Sequence, residues 1–188
     1  VNSSGTELTR WREANSDLSE SALFQQLPTW LAASNDDIPL YLPTAAGIGS
    51  PFWISRFKAS SASFYNLDCE PCSPSLSQQA VAVVESIAFL LTANIDAMQG
   101  SLKPYDGIIF AGGLSRLAGL VERICQLADL KGWVSDDFEA TLLGAAIACD
   151  RKNHKASIKG RIVAANNTAP LLKKRYQRYI ALIQKQQD

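Results

Sequence analysis

The sequence lacks the features that mark the start of a complete secreted or membrane protein. Its only methionine is Met98, and Val1 is followed by neither the positive nor the apolar segment of a signal peptide. We therefore expect a fragment of a longer protein. No run of 18 apolar residues occurs either, because polar side chains interrupt the long apolar stretch at 75–100, so we predict no membrane segment.

The sequence also has no excess of charge of either sign, since 18 Lys and Arg balance 18 Asp and Glu. This balance gives no electrostatic reason to expect a nucleic acid or an anionic membrane as partner. The 188 residues, 47% of them hydrophobic, are typical of a globular domain that buries its own core without metals or crosslinks. We predict a single domain over residues 1–188 and leave its oligomeric state, including a homodimer, open.

Few residues are available for metal or thiol chemistry. The single histidine, His154, lies in a polar stretch, and Cys125 and Cys149 fall within helical patterns. Cys69 and Cys72 have the C-x-x-C spacing of a redox pair or of half a zinc site, but a zinc site needs two further ligands. We predict no metal site and two incidental loop thiols in a reducing cytoplasm. A thiol redox domain is the weaker alternative.

Two adjacent glycines stand out in "GIIFAGGLSRLAGLVERICQLADL", residues 107–130. Neither common phosphate-binding fingerprint fits them, because G-x-G-x-x-G and G-x-x-x-x-G-K-[ST] both require a glycine where Leu117 stands. Ligands of α/β folds bind beyond the carboxyl ends of strands, and glycines let a flat or charged group approach the main chain. Two interpretations stay open: a tight turn with Ser115 as helix N-cap, or contact with a ligand.

Apolar periodicity predicts alternating helices and strands, which indicates an α/β domain. Helices are predicted at 6–15, at 19–31 with an interruption at Pro28, and at 75–100, 115–130, 139–152 and from about 170. Strands are predicted at 38–43, 61–67, 107–111 (buried) and 132–135, and a glycine-rich loop at 45–53. The 75–100 helix carries one continuous apolar stripe, formed by Val84, Ile87, Ala88, Leu91, Ile95 and Met98.

Four stretches, in order, resemble the C-terminal domain of the FGGY family of carbohydrate kinases, which are relatives of actin and hexokinase. They are "VNSSGTELTRW", "YLPTAAGIGSPFW", "AVAVVESIAFLL" and the segment from "IIFAGGLSRL" to "EATLLGAAIA". The resemblance covers nearly the whole chain. It implies an α/β fold of the ribonuclease H-like, actin-like ATPase type, with a mixed sheet flanked by helices.

The resemblance also implies the nucleotide side of a two-domain kinase, which transfers the γ-phosphate of Mg-ATP to a sugar or polyol hydroxyl. ATP or ADP and Mg²⁺ are the implied cofactors of the full-length protein. The implied wall under adenine and ribose is Gly112, Gly113, Leu114 and Ser115. The residues implied to lie near the phosphates are Ser4, Gly5 and Thr6. Leu117 stands where relatives often place Ser or Asn, so apolar packing would replace a polar contact to the adenosine.

The catalytic aspartate and most sugar contacts of this family belong to its N-terminal domain. We therefore expect no catalytic residue in this fragment, no phosphate transfer by the fragment alone, and no indication of which sugar is used. The alternative hypothesis is a non-catalytic binding or assembly module of the same fold, which Leu117 favours. A D-x-G-[ST] loop and an aspartate upstream of Val1 would support the kinase.

Overall fold

Helices alternate with short strands in the computed structural model of this chain. It describes residues 4–15, 17–33, 37–44, 47–55, 57, 63–99, 106–117, 119–136, 149, 159–165 and 170–187. The helices are α1 (Ser4–Ala14), α2 (Glu20–Ala32), α3 (Leu76–Gln99), α4 (Leu120–Ala128) and α5 (Pro170–Gln187). The strands are β1 (Leu40–Tyr41), β2 (Phe64–Tyr65), β3 (Gly107–Phe110), β4 (Lys131–Ser135) and β5 (Gly160–Val163). The predicted α/β class is confirmed. Gly100, the last residue of the predicted 75–100 helix, and the predicted helix at 139–152, except Cys149, lie outside the described residues.

The larger sheet is mixed, as the resemblance implies. β3 pairs parallel with β4, and β4 pairs antiparallel with β5, while β1 and β2 form a separate antiparallel pair. α4 covers one face of the mixed sheet, where Val121 and Cys125 pack with Val134 and Val163. The prediction that β3 is buried is wrong, because Ile108 and Phe110 are only partly buried on the α4 side and Ile109 on the other face is 67% exposed. Sequence reasoning missed β5, which it had included in a polar stretch.

α3 is the central helix of the core. Every residue from 80 to 90 is buried, so the helix is enclosed on all sides over three turns. The predicted stripe is confirmed at Val84 and Ile87, partly buried at Ile95, and wrong at Met98, which is 49% exposed. By length and composition α3 could cross a bilayer, but 67% of its apolar window is buried inside the protein, as expected for a core helix.

α2 is continuous, so the predicted interruption at Pro28 is wrong. Ser19 caps the helix, because its hydroxyl oxygen accepts a hydrogen bond from the backbone N–H of Ala22 at 3.2 Å. Pro28 lies on the exposed face, whereas Leu23, Leu27 and Leu31 are buried. Burying three leucines contributes about 1.5–3 kcal/mol each, which together exceeds the roughly 3 kcal/mol cost of proline inside a helix.

A buried cluster of three charged side chains connects α3 with α4 and α5. Glu85 of α3 is fully buried, and both its carboxylate oxygens accept hydrogen bonds from Arg175 of α5 at 2.7 Å. Arg123 of α4 donates to the same carboxylate at 3.2 Å and to the backbone carbonyl of Leu31 at 3.0 Å. The cluster therefore joins segments that are far apart in the sequence.

Candidate functional site

The glycine pair lies where β3 ends, and its two members have different reasons to be glycine. Gly112 has φ +91°, a backbone conformation that side chains other than glycine rarely adopt. Gly113 has no such backbone requirement, and a Cβ added there would meet no atom within 4 Å. A tight turn therefore explains Gly112 but leaves open space in front of Gly113.

Ser115 holds this turn together and does not cap a helix. Its hydroxyl donates a hydrogen bond to the carbonyl oxygen of Gly112 at 2.7 Å, and the side chain is buried. The prediction that Ser115 is an N-cap is wrong, because residues 113–116 form a short 3₁₀ helix and α4 begins only at Leu120. Gly119 caps α4 instead, in the left-handed conformation, with its N–H donated to the Glu122 carboxylate at 3.0 Å.

Leu117 belongs to the core. It is 5% exposed and packs in the cluster that also contains Leu31 and Leu120. The predicted apolar contact between Leu117 and an adenosine stays a prediction, and the structure shows that most of this side chain packs in the core. The leucine side chain at this position fills space in the core.

Leu114 connects the glycine turn to a pocket of about 160 Å³. The pocket lies between the turn and the first two helices. Its walls are Leu8, Thr9 and Arg12 of α1, Glu20, Leu23 and Phe24 of α2, and Leu114 itself. Pockets that enclose a whole drug-sized ligand measure about 300–1,000 Å³, so this one has room for a single flat group with the rest of the ligand outside.

The pocket has an apolar floor and a polar rim. Leu8 and Leu23 are buried beneath it, whereas Phe24 is 47% exposed at its edge. Glu20 is exposed, and Arg12 contributes a half-buried guanidinium that lies 3.6 Å from the neighbouring Glu13 carboxylate. Sequence reasoning missed these side chains as site residues. Phe24 carried a signal that could have identified it, because it lies off the buried Leu23–Leu27–Leu31 stripe.

The predicted phosphate-side residues form the first turn of α1, the helix that also lines the pocket. Ser4 and Gly5 begin the helix and Thr6 is exposed. Because an α-helix rises 1.5 Å per residue, the backbone of Gly5 lies roughly 6 Å along the axis from that of Thr9 at the pocket. The N–H groups in the first turn of any α-helix have no acceptor within the helix, and together with the helix dipole they favour an anion.

The acidic side chain in this first turn is already paired. Glu7 is buried and contacts the Arg10 guanidinium, and it accepts a hydrogen bond from the Tyr41 hydroxyl at 3.0 Å. Burial, followed by the Glu7 charge, raises the pKa of Tyr41 well above its usual value. Tyr41 therefore stays a neutral donor to Glu7, and the anion-binding capacity of the turn rests on its backbone.

Other candidate sites are weaker. A pocket of about 390 Å³ lies near Cys72 and Gln78, but Gln78 is already bonded to Ser75 and to the carbonyl of Asp37. Cys69 and Cys72 are free, and burial raises the pKa of Cys72, which disfavours the thiolate that redox exchange needs. Within the described ranges, no three His, Cys, Asp or Glu side chains come together as a metal site.

Comparison with protein families gives one match. A model of the FGGY family of carbohydrate kinases, C-terminal domain, matches residues 2–151. A comparison with curated proteins finds no significant match.

Solved structures share the fold. A xylulose kinase from Rhodospirillum rubrum aligns with 96% of this chain at 14% identity and a TM-score of 0.71. A xyloylose kinase from Brucella ovis aligns with 96% at 20% identity and a TM-score of 0.71, and a Plasmodium falciparum glycerol kinase with ADP aligns with 86% at 18% identity and 0.66. The chain spans 37%, 38% and 33% of those three chains, respectively.

Proposed function

Because this chain belongs to the FGGY family of carbohydrate kinases, we propose that it is the nucleotide-binding half of a kinase that phosphorylates a sugar or polyol hydroxyl with ATP. The fold is that of the actin-like ATPases, as the sugar kinases of similar structure have. The chain spans about a third of the length of those kinases, so the other domain of the full-length protein supplies the remainder of the cleft.

The observation that carries the proposal is the open space in front of Gly113, next to an apolar pocket. A pocket of this size has room for one planar base among the apolar side chains that line it, which include Leu8, Leu23 and Leu114. Gly113 leaves room for the ribose because it has no side chain. Its backbone does not require glycine, so the turn alone does not explain why a glycine stands there. The phosphates then extend toward the first turn of α1, where free N–H groups favour negative charge.

This arrangement contributes binding and orientation to the reaction. Phosphoryl transfer depends mainly on holding the phosphates in line with the acceptor and on stabilising their charge. The pocket fixes the base and the α1 terminus orients the phosphates, while the acceptor hydroxyl and the catalytic carboxylate belong to the other domain. Mg²⁺ bound with ATP would neutralise charge on the phosphates, and the described residues of this chain contain no group of three His, Cys, Asp or Glu side chains that would hold it.

The alternative, a non-catalytic module of the same fold, loses its main argument. Leu117 favoured it because a leucine there would replace a polar ligand contact, but Leu117 packs in the core. Its presence is therefore compatible with a functional nucleotide site.

The test is titration calorimetry of ADP into the full-length protein and its Gly113→Val variant. Valine at this position meets no protein atom near its Cβ, so the fold should be retained, but its methyl groups fill the proposed ribose position. We expect ADP affinity to fall at least tenfold, which corresponds to about 1.4 kcal/mol.

Gly113→Ala is the control, because one methyl group adds little bulk and should change ADP affinity much less. An unchanged ADP affinity in a folded Gly113→Val protein would remove the nucleotide from this turn. The 188-residue chain alone should bind ADP weakly and transfer no phosphate.

A further inference from the structure

Two side chains of the pocket have no evident part in holding the fold together. Phe24 is 47% exposed, although an aromatic ring on a 13-residue core helix would be expected to join the buried stripe. Glu20 is exposed in the first turn of the same helix, one turn away from Phe24. Both line the pocket, together with the apolar side chains that form its floor.

The positions of these two side chains match two properties of an adenine base. The faces of the base are flat and apolar, and they stack well on an aromatic ring. Its edge presents a 6-amino group that donates hydrogen bonds, and a carboxylate is an acceptor without any donor of its own when ionised. Phe24 and Glu20 therefore offer a stacking surface and an edge acceptor from neighbouring turns of one helix.

We propose that α2 recognises the adenine base, with the Phe24 ring packed against the face of the base and the Glu20 carboxylate accepting a hydrogen bond from the 6-amino group. This inference rests on the proposed nucleotide site. It adds that the identity of the base is read by α2, whereas the glycine turn provides only room for the sugar and base.

The Glu20 contact is tested by a double-mutant cycle between the protein and the ligand. The probes are ADP and purine riboside 5′-diphosphate, which differs from ADP only in lacking the 6-amino group. Calorimetry with the full-length protein should show that loss of the amino group weakens binding by about five- to tenfold. With Glu20→Ala the two diphosphates should bind equally, because the acceptor is gone.

Asp17→Ala is the matched control. Asp17 is an exposed carboxylate just before α2 that does not line the pocket, so its removal changes the net charge in the same way. The control should retain the full difference between the two diphosphates. If removing the amino group from the ligand weakens binding equally in the parent protein and in Glu20→Ala, the edge contact is wrong.

The stacking contact is tested by Phe24→Ala, which should weaken ADP binding about tenfold. Gln25→Ala, at the adjacent exposed position outside the pocket, should leave ADP affinity unchanged. Unchanged ADP affinity in Phe24→Ala would overturn the stacking contact.

These outcomes separate the inference from the function on which it rests. If Gly113→Val weakens ADP binding while the Glu20 and Phe24 variants do not, the nucleotide site stands and recognition by α2 is wrong. If the full-length protein does not bind ADP at all, the proposed function itself fails and the inference fails with it.

Discussion

Glu85 and Arg175, separated by 90 residues of sequence, form a two-point ion pair in the interior, with two N–H···O contacts of 2.7 Å. Arg175 lies beyond residue 151, where the match to the family model ends. A fully buried carboxylate needs such partners, because desolvation of an unpaired charge costs several kcal/mol. α5 therefore supplies a partner for a buried charge that lies within the family-matched part of the chain.

Arg175→Met should reduce the free energy of unfolding by about 3 kcal/mol, because among the described residues Glu85 would keep Arg123 alone as an ionic partner. Urea unfolding followed by circular dichroism measures the change. Arg178→Met is the matched control, since Arg178 is exposed on the same helix and its loss should cost under about 0.5 kcal/mol. The double variant Glu85→Gln/Arg175→Met should lose less unfolding free energy than the two single variants lose together. Additive losses would contradict the pairing.

Ile87→Asp should destabilise the protein by more than about 3 kcal/mol, because Ile87 is 2% exposed and an aspartate there would bury an unpaired charge. Met98→Asp on the same helix should change stability by only about 0.5 kcal/mol, since Met98 is half exposed. Thermal melting of both proteins checks the pair. Equal melting temperatures would mean that the two faces of α3 have been assigned wrongly.

Gly112→Ala should cost about 1–2 kcal/mol of stability, because alanine at φ +91° is strained even where there is space for its methyl group. Gly113→Ala should be neutral or slightly stabilising, since Gly113 has neither a positive φ nor a crowded Cβ position. Chemical denaturation distinguishes them. Equal effects at the two positions would show that the backbone of the turn differs from the structure.

Stability should decrease in alkaline solution because of Cys125. Burial raises the pKa of this thiol to about 11 from an ordinary value near 9. As the pH rises, the thiol therefore loses its proton in the unfolded chain at a lower pH than in the folded protein. The contribution of the protonated thiol to folding stability is complete below pH 9 and is lost as the pH rises from 9 to 11. Between pH 8.5 and 10 the free energy of unfolding should fall on the order of 1 kcal/mol more in the parent than in Cys125→Ser. Urea unfolding at each pH measures the difference. Parallel pH profiles would contradict this assignment.

The existence and order of most elements could be predicted from the sequence, because long apolar periodicity survives in the structure. The central helix is the clearest case, where the predicted 75–100 corresponds to Leu76–Gln99. Helix boundaries were harder, since Pro28 is tolerated by a helix whose opposite face is buried and Ser115 bonds to its own turn. Gly119 followed by Glu122 was the better signal for the start of α4, because the Glu122 carboxylate accepts a hydrogen bond from the Gly119 N–H at the helix terminus.

The candidate site could be predicted only in part. The glycine pair was identifiable because local sequence determines the turn after a strand. Phe24 could be identified only as an apolar residue off the buried stripe of α2, and neither it nor Glu20 could be assigned to the pocket, because α2 packs beside a turn some ninety positions further along the chain. No local pattern records that contact. Leu117 shows the converse, since a residue predicted to contact the ligand packs in the core.

The anchoring of α5 on Glu85 has a consequence for cooperativity. If α5 separated from α3 alone, the Glu85 carboxylate would remain in the apolar interior without its Arg175 partner. We therefore expect α5 and the middle of α3 to open together. Their amide protons should exchange with solvent at a common, slow rate, whereas those of the two-residue strands β1 and β2 should exchange faster. A domain trimmed to the family-matched residues 2–151 would lose this anchor and should be recovered as an aggregation-prone, partly folded chain.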